Sequence, residues 1–139
     1  MKIVFLSHRF DFLEPEQVDS KTKEFSNLLA GMGVTVISMT TLADERKKYL
    51  DIDTIRTIVQ GDLDELKKAD ILLMDVSLEG WNYIGVTCEM VYAFTWGKPI
   101  IAYVGNTTNG QRLWLQYHVG AICHTLDEVK NEIRGLLDD

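Results

Sequence analysis

Ile71-Leu-Leu-Met-Asp-Val76 is the stretch of this 139-residue chain that decides its fold. It is apolar except for one aspartate, which is typical of a central strand in a parallel sheet. Residues 84–96 follow with a helical sequence, and residues 99–104 form the next apolar run. Because parallel strands are joined by crossovers that usually contain a helix, these three segments predict one βαβ unit.

The same alternation of strand-like and helical segments continues to both ends of the chain. Strands are predicted at residues 2–6, 34–39, 71–76, 99–104 and 121–124. Helical spacing predicts buried faces formed by Phe25, Leu28, Leu29 and Met32 and by Leu126, Val129, Ile133 and Leu136. The sequence therefore predicts one α/β domain over residues 1–139, with three layers and a five-stranded, mainly parallel, doubly wound sheet of the flavodoxin-like type. Its ligand is expected at the carboxyl ends of the strands, where the strand order reverses.

Composition excludes several classes of partner. A formal net charge of -7 argues against a nucleic-acid polymer, which requires a basic surface. No apolar run approaches the roughly 18 residues that cross a bilayer, so we expect no membrane partner. Cys88 and Cys123 lack metal-ligand spacing and are predicted to be small buried thiols of a cytoplasmic protein. Because His8, His118 and His124 are scattered, we expect no metal and no cofactor.

Glu89 is the only formally charged side chain between Gly80 and Gly97. A carboxylate is costly to bury without partners, so its presence in an apolar helix requires an explanation. It can stabilise the positive end of the helix dipole. It can also act as a nucleophile or a charge stabiliser. The second interpretation is favoured because the surrounding residues include no cation.

Asp62 is the second candidate. It lies on the otherwise apolar helical face of Ile55, Val59 and Leu66, which Gly61 is expected to interrupt. It could be the N-cap of a helix that restarts after the glycine. Alternatively, it is a functional partner of Glu89, because paired carboxylates on either side of a sugar carbon cleave glycosidic bonds. The residues themselves leave both possibilities open.

The segment Ser7-His8-Arg9-Phe10 follows the first strand and combines a hydroxyl, two possible cations and an aromatic ring. Such a set can hold a base or a phosphate, although a solvated loop would have a similar composition. Tyr83 and Trp114 are either core or interface residues or a stacking surface for a planar base.

Three groups of residues together resemble the nucleoside 2-deoxyribosyltransferase family, which includes the deoxynucleoside 5'-monophosphate N-glycosidases. The first is Leu-Ser-His-Arg-Phe at residues 6–10, after the first strand. The second runs from Asp62 to Asp75. The third is Gly85-Val-Thr-Cys-Glu89, followed by Gly97-Lys-Pro. The resemblance covers nearly the whole chain in the order of its elements.

The resemblance implies that Glu89 attacks the anomeric carbon of deoxyribose and forms a covalent intermediate, which another base or water resolves. It also implies that Asp62 lies against the substrate. The expected substrate contacts are Ser7, His8, Arg9, Phe10, Tyr83, Gly85, Thr87 and Trp114. The partner is then a small nucleoside or nucleotide. The chain is expected to form a homodimer or a larger homo-oligomer, in which residues 110–118 of a neighbour complete the pocket.

Two positions depart from the family pattern. The transferases usually have an Asp where this chain has Tyr83, and the monophosphate hydrolases tend to have serines there and near the position of Trp114. The sequence therefore does not decide between transfer to another base and hydrolysis. It also leaves open whether the protein recognises a 5'-phosphate. Two alternatives also remain. The segments 4–9 and 33–36 resemble the opening of a TIR domain, which would imply NAD cleavage, and a non-catalytic nucleotide sensor would retain only the pocket.

Overall fold

The computed structural model describes residues 1–8, 15–38, 51–80 and 83–138. Arg9 and Phe10 lie outside the described residues. The strands are β1 (Lys2–Ser7), β2 (Val34–Ile37), β3 (Ile71–Asp75), β4 (Ile100–Tyr103) and β5 (Ala121–Cys123). The helices are α1 (Pro15–Leu28), α2 (Ile52–Lys68), α3 (Ile84–Thr95), α4 (Leu113–His118) and α5 (Leu126–Leu137), with a 3-10 turn at Asn109–Gln111.

The five strands form one sheet in the order β2-β1-β3-β4-β5, and every pairing is parallel. This confirms the predicted five-stranded, flavodoxin-like sheet. All residues of β3 are buried, as expected for its central position. The chain runs from β1 outwards to β2 and then returns to the other side of β1, so the strand order reverses between β1 and β3.

Helices cover both faces of the sheet and complete the three predicted layers. Leu72 and Met74 of β3 share one core with Leu66 of α2, Met90 of α3 and Leu115 of α4. The alternate residues of β3 face the opposite core, together with α1 and α5. Because α2 and α3 lie on the same face, one side chain from each can meet above the carboxyl ends of β1 and β3.

Helix α2 is continuous, so its predicted interruption at Gly61 is wrong. Asp51 is its N-cap and accepts a hydrogen bond from the backbone N–H of Thr54 at 2.8 Å. Gly61 costs roughly 1 kcal/mol relative to alanine within a helix, and burial of Leu66 in the core offsets such a penalty. Asp62 therefore lies in mid-helix, and the interpretation of Asp62 as an N-cap is wrong as well.

The Gly-Lys-Pro motif links α2 and α3. Gly97 has a φ of 71°, which favours glycine, where the chain leaves α3. Lys98 then extends its Nζ to the backbone carbonyl of Ala69, at 2.6 Å, where α2 ends. The backbone N–H of Lys98 also donates to Ala93 of α3, at 2.9 Å. These bonds fix the relative positions of the two helices.

The two cysteines differ in exposure. Cys123 is buried, and this burial raises the pKa of its thiol to about 11. Cys88 is exposed, so the prediction that both thiols are buried is wrong for this residue. The reason is its helical position, because Val86 and Met90 of the same helix face the sheet and Cys88 faces away. Within the described residues, no helix combines the length and apolar character needed to cross a membrane.

Candidate active site

Glu89 and Ser7 meet at the carboxyl edge of the sheet. Glu89 is the sixth residue of α3, and its side chain lies beside the stripe of Val86, Met90 and Ala93 that packs against the sheet. Only 8% of Glu89 is exposed. Ser7, the last residue of β1, donates its hydroxyl to Oε1 of Glu89 at 2.6 Å. The reversal of strand order therefore brings together two residues that are 82 positions apart.

Asp62 of α2 is the second partner of Glu89, since the two carboxyl groups lie close enough to shift each other's pKa. Burial raises the pKa of Glu89 well above its ordinary value, and the hydrogen bond and negative charge of Asp62 raise it further. The hydrogen bond from Ser7 acts in the opposite direction. Burial also raises the pKa of Asp62, against the effect of its bond to Glu89. Two adjacent buried carboxyl groups oppose the loss of both protons, so the pair retains one proton to a higher pH than an isolated carboxyl group would.

These contacts argue against a capping role for Glu89. It lies beyond the first turn of α3, where the helix dipole has its largest effect. Tyr83 occupies the N-cap position and makes no side-chain capping bond. The carboxyl group of Glu89 instead faces Ser7 and Asp62. Oδ1 of Asp62 is buried and has no hydrogen-bond partner in the part of the chain that the structure describes, which leaves an acceptor beside Glu89.

His8 is buried at the same edge. Its Nε2 lies 3.2 Å from the hydroxyl of Ser38, which follows β2. The ring therefore connects the end of β1 with the end of β2. Because Arg9 and Phe10 lie outside the described residues, the proposed pocket of residues 7–10 has a described position only for Ser7 and His8.

Tyr83 is buried, and its hydroxyl is engaged by the backbone. It accepts a hydrogen bond from the N–H of Leu78 at 2.9 Å and donates one to the carbonyl of Leu78 at 3.1 Å. Gly85 and Thr87 are exposed on the first turns of α3. A Cβ at Gly85 would meet no protein atom within 4 Å, so open space adjoins the helix there.

A cavity of about 430 Å³ lies beside these residues, between α3 and α4. Its lining comprises Met74, Val76, Tyr83, Thr87, Met90, Asn109, Arg112, Trp114 and Leu115. Met74 lines the cavity and is paired with Ser7 on the adjacent strand. The cavity therefore begins one strand away from the contact between Ser7 and Glu89. Thr87, Tyr83 and Trp114 are thus gathered at one cavity, whereas Glu89 and Asp62 lie on its β1 side.

Asn109 and Arg112 are cavity residues that the sequence did not identify. Nδ2 of Asn109 donates to the carbonyls of Val76, at 2.6 Å, and Leu78, at 3.2 Å. It therefore holds the 3-10 turn against the loop after β3. In the sequence, Asn109 belongs to a stretch with ordinary turn composition, and Arg112 is one of 14 Lys and Arg residues, so neither carried a distinguishing signal.

The exposed side of α4 is apolar. Leu113, Trp114 and Tyr117 form what we call the α4 patch, and Trp114 is 76% exposed. The ring of Tyr117 contacts Phe94 of α3 at 5.3 Å between centroids, which extends the apolar surface onto the neighbouring helix. Such a contiguous apolar surface is typical of a protein interface.

Comparison with solved structures identifies this architecture. No protein family and no curated protein matches the chain by sequence. The 2-deoxyribosyltransferase of the psychrotolerant bacterium Bacillus psychrosaccharolyticus superposes with a TM-score of 0.71 at 20% identity, covering 97% of this chain and 95% of the other. The CMP N-glycosidase BcmB of Clostridium botulinum gives 0.56 at 18% identity, covering 95% and 98%. A conserved protein of Enterococcus faecalis V583 gives 0.69 at 14% identity, covering 98% and 99%.

The chain has the fold of the nucleoside 2-deoxyribosyltransferase family. In this 2-deoxyribosyltransferase fold, the carboxyl pair occupies the edge of the sheet at which doubly wound proteins bind ligands. The pair combines a buried carboxylate, a proton and an adjacent hydroxyl. This combination can support nucleophilic attack and proton transfer within one small volume.

Replacing Glu89 with Gln should stabilise this 2-deoxyribosyltransferase fold at neutral pH, raising Tm by about 3 °C or more. A carboxyl group whose pKa is raised by folding makes stability fall as the pH rises from its unfolded pKa to its folded pKa. The neutral amide avoids this loss. The gain should therefore shrink as the pH falls into the ordinary titration range of glutamate. Calorimetry over a pH series measures it.

The matched control for this stability measurement is Glu132→Gln, because Glu132 is exposed on α5. We expect this control to leave Tm close to that of the wild type at every pH. A Glu89→Gln protein that is less stable than the wild type at neutral pH would contradict the prediction.

Proposed function

We propose that the protein cleaves the N-glycosidic bond of a 2'-deoxynucleoside or a 2'-deoxynucleoside 5'-monophosphate, with Glu89 as the nucleophile. The observation that carries this proposal is the buried Glu89 carboxyl, which contacts Ser7 and Asp62 at the carboxyl edge of the sheet. The similarity of the fold to a 2-deoxyribosyltransferase and a CMP N-glycosidase supports it. Paired carboxylates beside a sugar carbon suit an oxocarbenium-like transition state.

In the first step, an oxygen of Glu89 bonds to C1' of the sugar while the bond from C1' to the base breaks. The electron pair of the broken bond leaves with the base, which requires a proton. Glu89 must attack as the carboxylate, so the proton, which the raised pKa of Glu89 favours on that residue, first passes to Asp62. Asp62 then donates this proton to the departing base.

In the second step, water or another base attacks C1' and displaces Glu89 as a carboxylate. Asp62, now ionised, accepts the proton released by the attacking group, and the pair regains its shared proton. Ser7 assists in both steps, because its hydroxyl stabilises the charged form of Glu89. The two steps account for transferase chemistry when a base is the acceptor and hydrolase chemistry when water is.

The remaining predicted substrate contacts are assigned to different parts of the substrate. Gly85 leaves open space beside α3, and Thr87 lies on the exposed side of the next turn. We propose that both approach the sugar. We propose that Tyr83 contacts the base through its ring, since its hydroxyl is bound to Leu78. His8, Arg9 and Phe10 stay predicted contacts for the sugar, base or phosphate.

Replacing Glu89 with Ala should lower base release by about a thousandfold or more, the scale on which the loss of a catalytic group acts. The test incubates the protein with deoxynucleosides and deoxynucleoside monophosphates, with and without an acceptor base. Free base and new nucleoside are followed by chromatography. Cys88→Ala is the matched control, because Cys88 is the exposed neighbour of Glu89 on the same helix.

Three outcomes would contradict this proposal. Unchanged base release by Glu89→Ala would exclude the nucleophilic role. Release of nicotinamide from NAD, with deoxynucleosides untouched, would favour TIR-like chemistry. Tight nucleotide binding without any base release by the wild type would favour a sensing module.

The pH profile of kcat/KM should respond differently to the loss of each partner of Glu89. The proposed active state has Glu89 ionised and one proton on Asp62, so activity should fall on the alkaline side as the pair loses this proton, at a pH well above the ordinary range of a glutamate. Ser7→Ala removes a contact that lowers the pKa of Glu89, and should move this alkaline limb to higher pH. Asp62→Asn removes the group that donates the proton, so the alkaline limb should disappear.

Asp62→Asn should also lower the maximal rate by about 10²-fold or more, because it removes the proton donor. Initial rates of base release over a pH series measure both effects. An alkaline limb that Asp62→Asn retains, or a wild-type alkaline limb at the ordinary titration range of glutamate, would contradict the assignment.

We further propose that two copies of the chain associate through the α4 patch. Leu113, Trp114 and Tyr117 are each at least 70% exposed, which is unfavourable for aromatic and aliphatic side chains in water. The patch adjoins the cavity, because Trp114 contributes to both surfaces. A neighbour bound there would bring residues 110–118 close to the substrate site, as the resemblance implies.

Trp114→Glu should therefore convert the oligomer to a monomer and reduce base release in parallel. Ile52→Glu is the matched control, since Ile52 is exposed on α2 and lies outside the α4 patch. Sedimentation velocity over a range of protein concentrations measures the assembly. A monomeric wild type with full activity, or an unchanged oligomer in Trp114→Glu, would contradict this proposal.

A further inference from the structure

Arg112 is the one charged residue among those that line the 430 Å³ cavity. It lies at the start of α4 and is exposed, so it stands at the mouth of the cavity. Within the described part of the chain, its guanidinium takes part in no ion pair and no side-chain hydrogen bond. Its N–H donors are therefore available to a ligand.

Tyr83 and Asn109 already use their donors, whereas the Thr87 hydroxyl and the Trp114 indole N–H are neutral donors. The Tyr83 hydroxyl donates to Leu78, and Nδ2 of Asn109 donates to Val76 and Leu78. Most of the rest of the wall is apolar or sulfur-containing. Arg112 therefore offers the strongest hydrogen-bonding group that a molecule in this cavity can meet.

The position of the cavity defines which part of a substrate enters it. Met74 lines the cavity and is paired in register with Ser7 on the adjacent strand, roughly 4.8 Å away. Ser7 in turn contacts Glu89. If C1' of the sugar lies at Glu89, the base attached to it extends one strand spacing towards Met74. Its flat face then lies against methionine and Trp114, which suits a planar heterocycle.

We propose that Arg112 selects the base, favouring bases that present a carbonyl oxygen to it over bases that present an amino group. This inference rests on the proposed function. A guanidinium only donates hydrogen bonds, so it pairs with an oxo group and opposes an amino group. Among purines, arginine matches O6 and N7 of a 6-oxopurine with two bonds, and a 6-aminopurine offers only N7.

The test measures calorimetric binding of free hypoxanthine and free adenine to the full chain. We expect the wild type to bind hypoxanthine about tenfold more tightly than adenine, as one good charged hydrogen bond implies. Arg112→Met should weaken the binding of hypoxanthine about tenfold and leave the affinity for adenine within about twofold of the wild-type value. Arg112→Gln supplies a neutral NH2 donor together with a carbonyl acceptor, so it should retain at most part of the preference. Arg134→Met is the matched control, because Arg134 is an exposed residue of α5. This variant should change neither affinity.

The same comparison in catalysis uses kcat/KM for base release from 2'-deoxyinosine and 2'-deoxyadenosine. Equal losses for both bases in Arg112→Met would overturn the inference, because a purely structural role predicts them. The 5'-monophosphates of both nucleosides are measured as well. A fall in kcat/KM that Arg112→Met shows only with the monophosphates would also overturn the inference, because it would assign Arg112 to the phosphate.

Failure of the inference and failure of the proposed function are distinguishable. Arg112-dependent binding of free hypoxanthine without any base release would support the inference and refute the proposed function. Base release with the same preference in the wild type and Arg112→Met would refute the inference alone.

Discussion

The 2.6 Å hydrogen bond between Ser7 and Glu89 joins the end of β1 to α3, across the point where the strand order reverses. Both residues are buried, so neither can exchange this contact for water. The bond requires β1 and β3 to be adjacent and α3 to pack above them, and α2 brings Asp62 next to Glu89. The position of the carboxyl pair therefore depends on the whole parallel sheet.

The rest of the structure compensates for an unfavourable charge arrangement. Two carboxyl groups held together under burial raise each other's free energy when both are ionised. The fully buried β3 and the two cores on its faces stabilise the framework that keeps them together. The bond from Lys98 to the end of α2 limits how far the helices can separate. A stable scaffold around an unfavourable charge arrangement is the usual trade-off between stability and activity.

Sequence patterns predicted the elements that depend on burial and failed where packing decided between local alternatives. The apolar run of β3 and the isolated charge of Glu89 can be recognised directly in the sequence. Gly61 gave a signal for interruption, but tertiary packing of α2 outweighed its low helix propensity. The meeting of Asp62 with Glu89 was left open because it depends on how two helices are placed. Arg112 joins the cavity only through the fold, so composition could not identify it.

Tyr83 restricts how protons move in the proposed reaction. Its hydroxyl is held by both backbone groups of Leu78, so it cannot replace the carboxylate that transferases usually have at this position. No carboxylate lines the cavity among the described residues. In the proposed reaction, the departing base and the attacking acceptor therefore use the same proton, the one held by Asp62 and Glu89. The raised pKa of the pair is what keeps this proton available where isolated carboxylates would already have lost it.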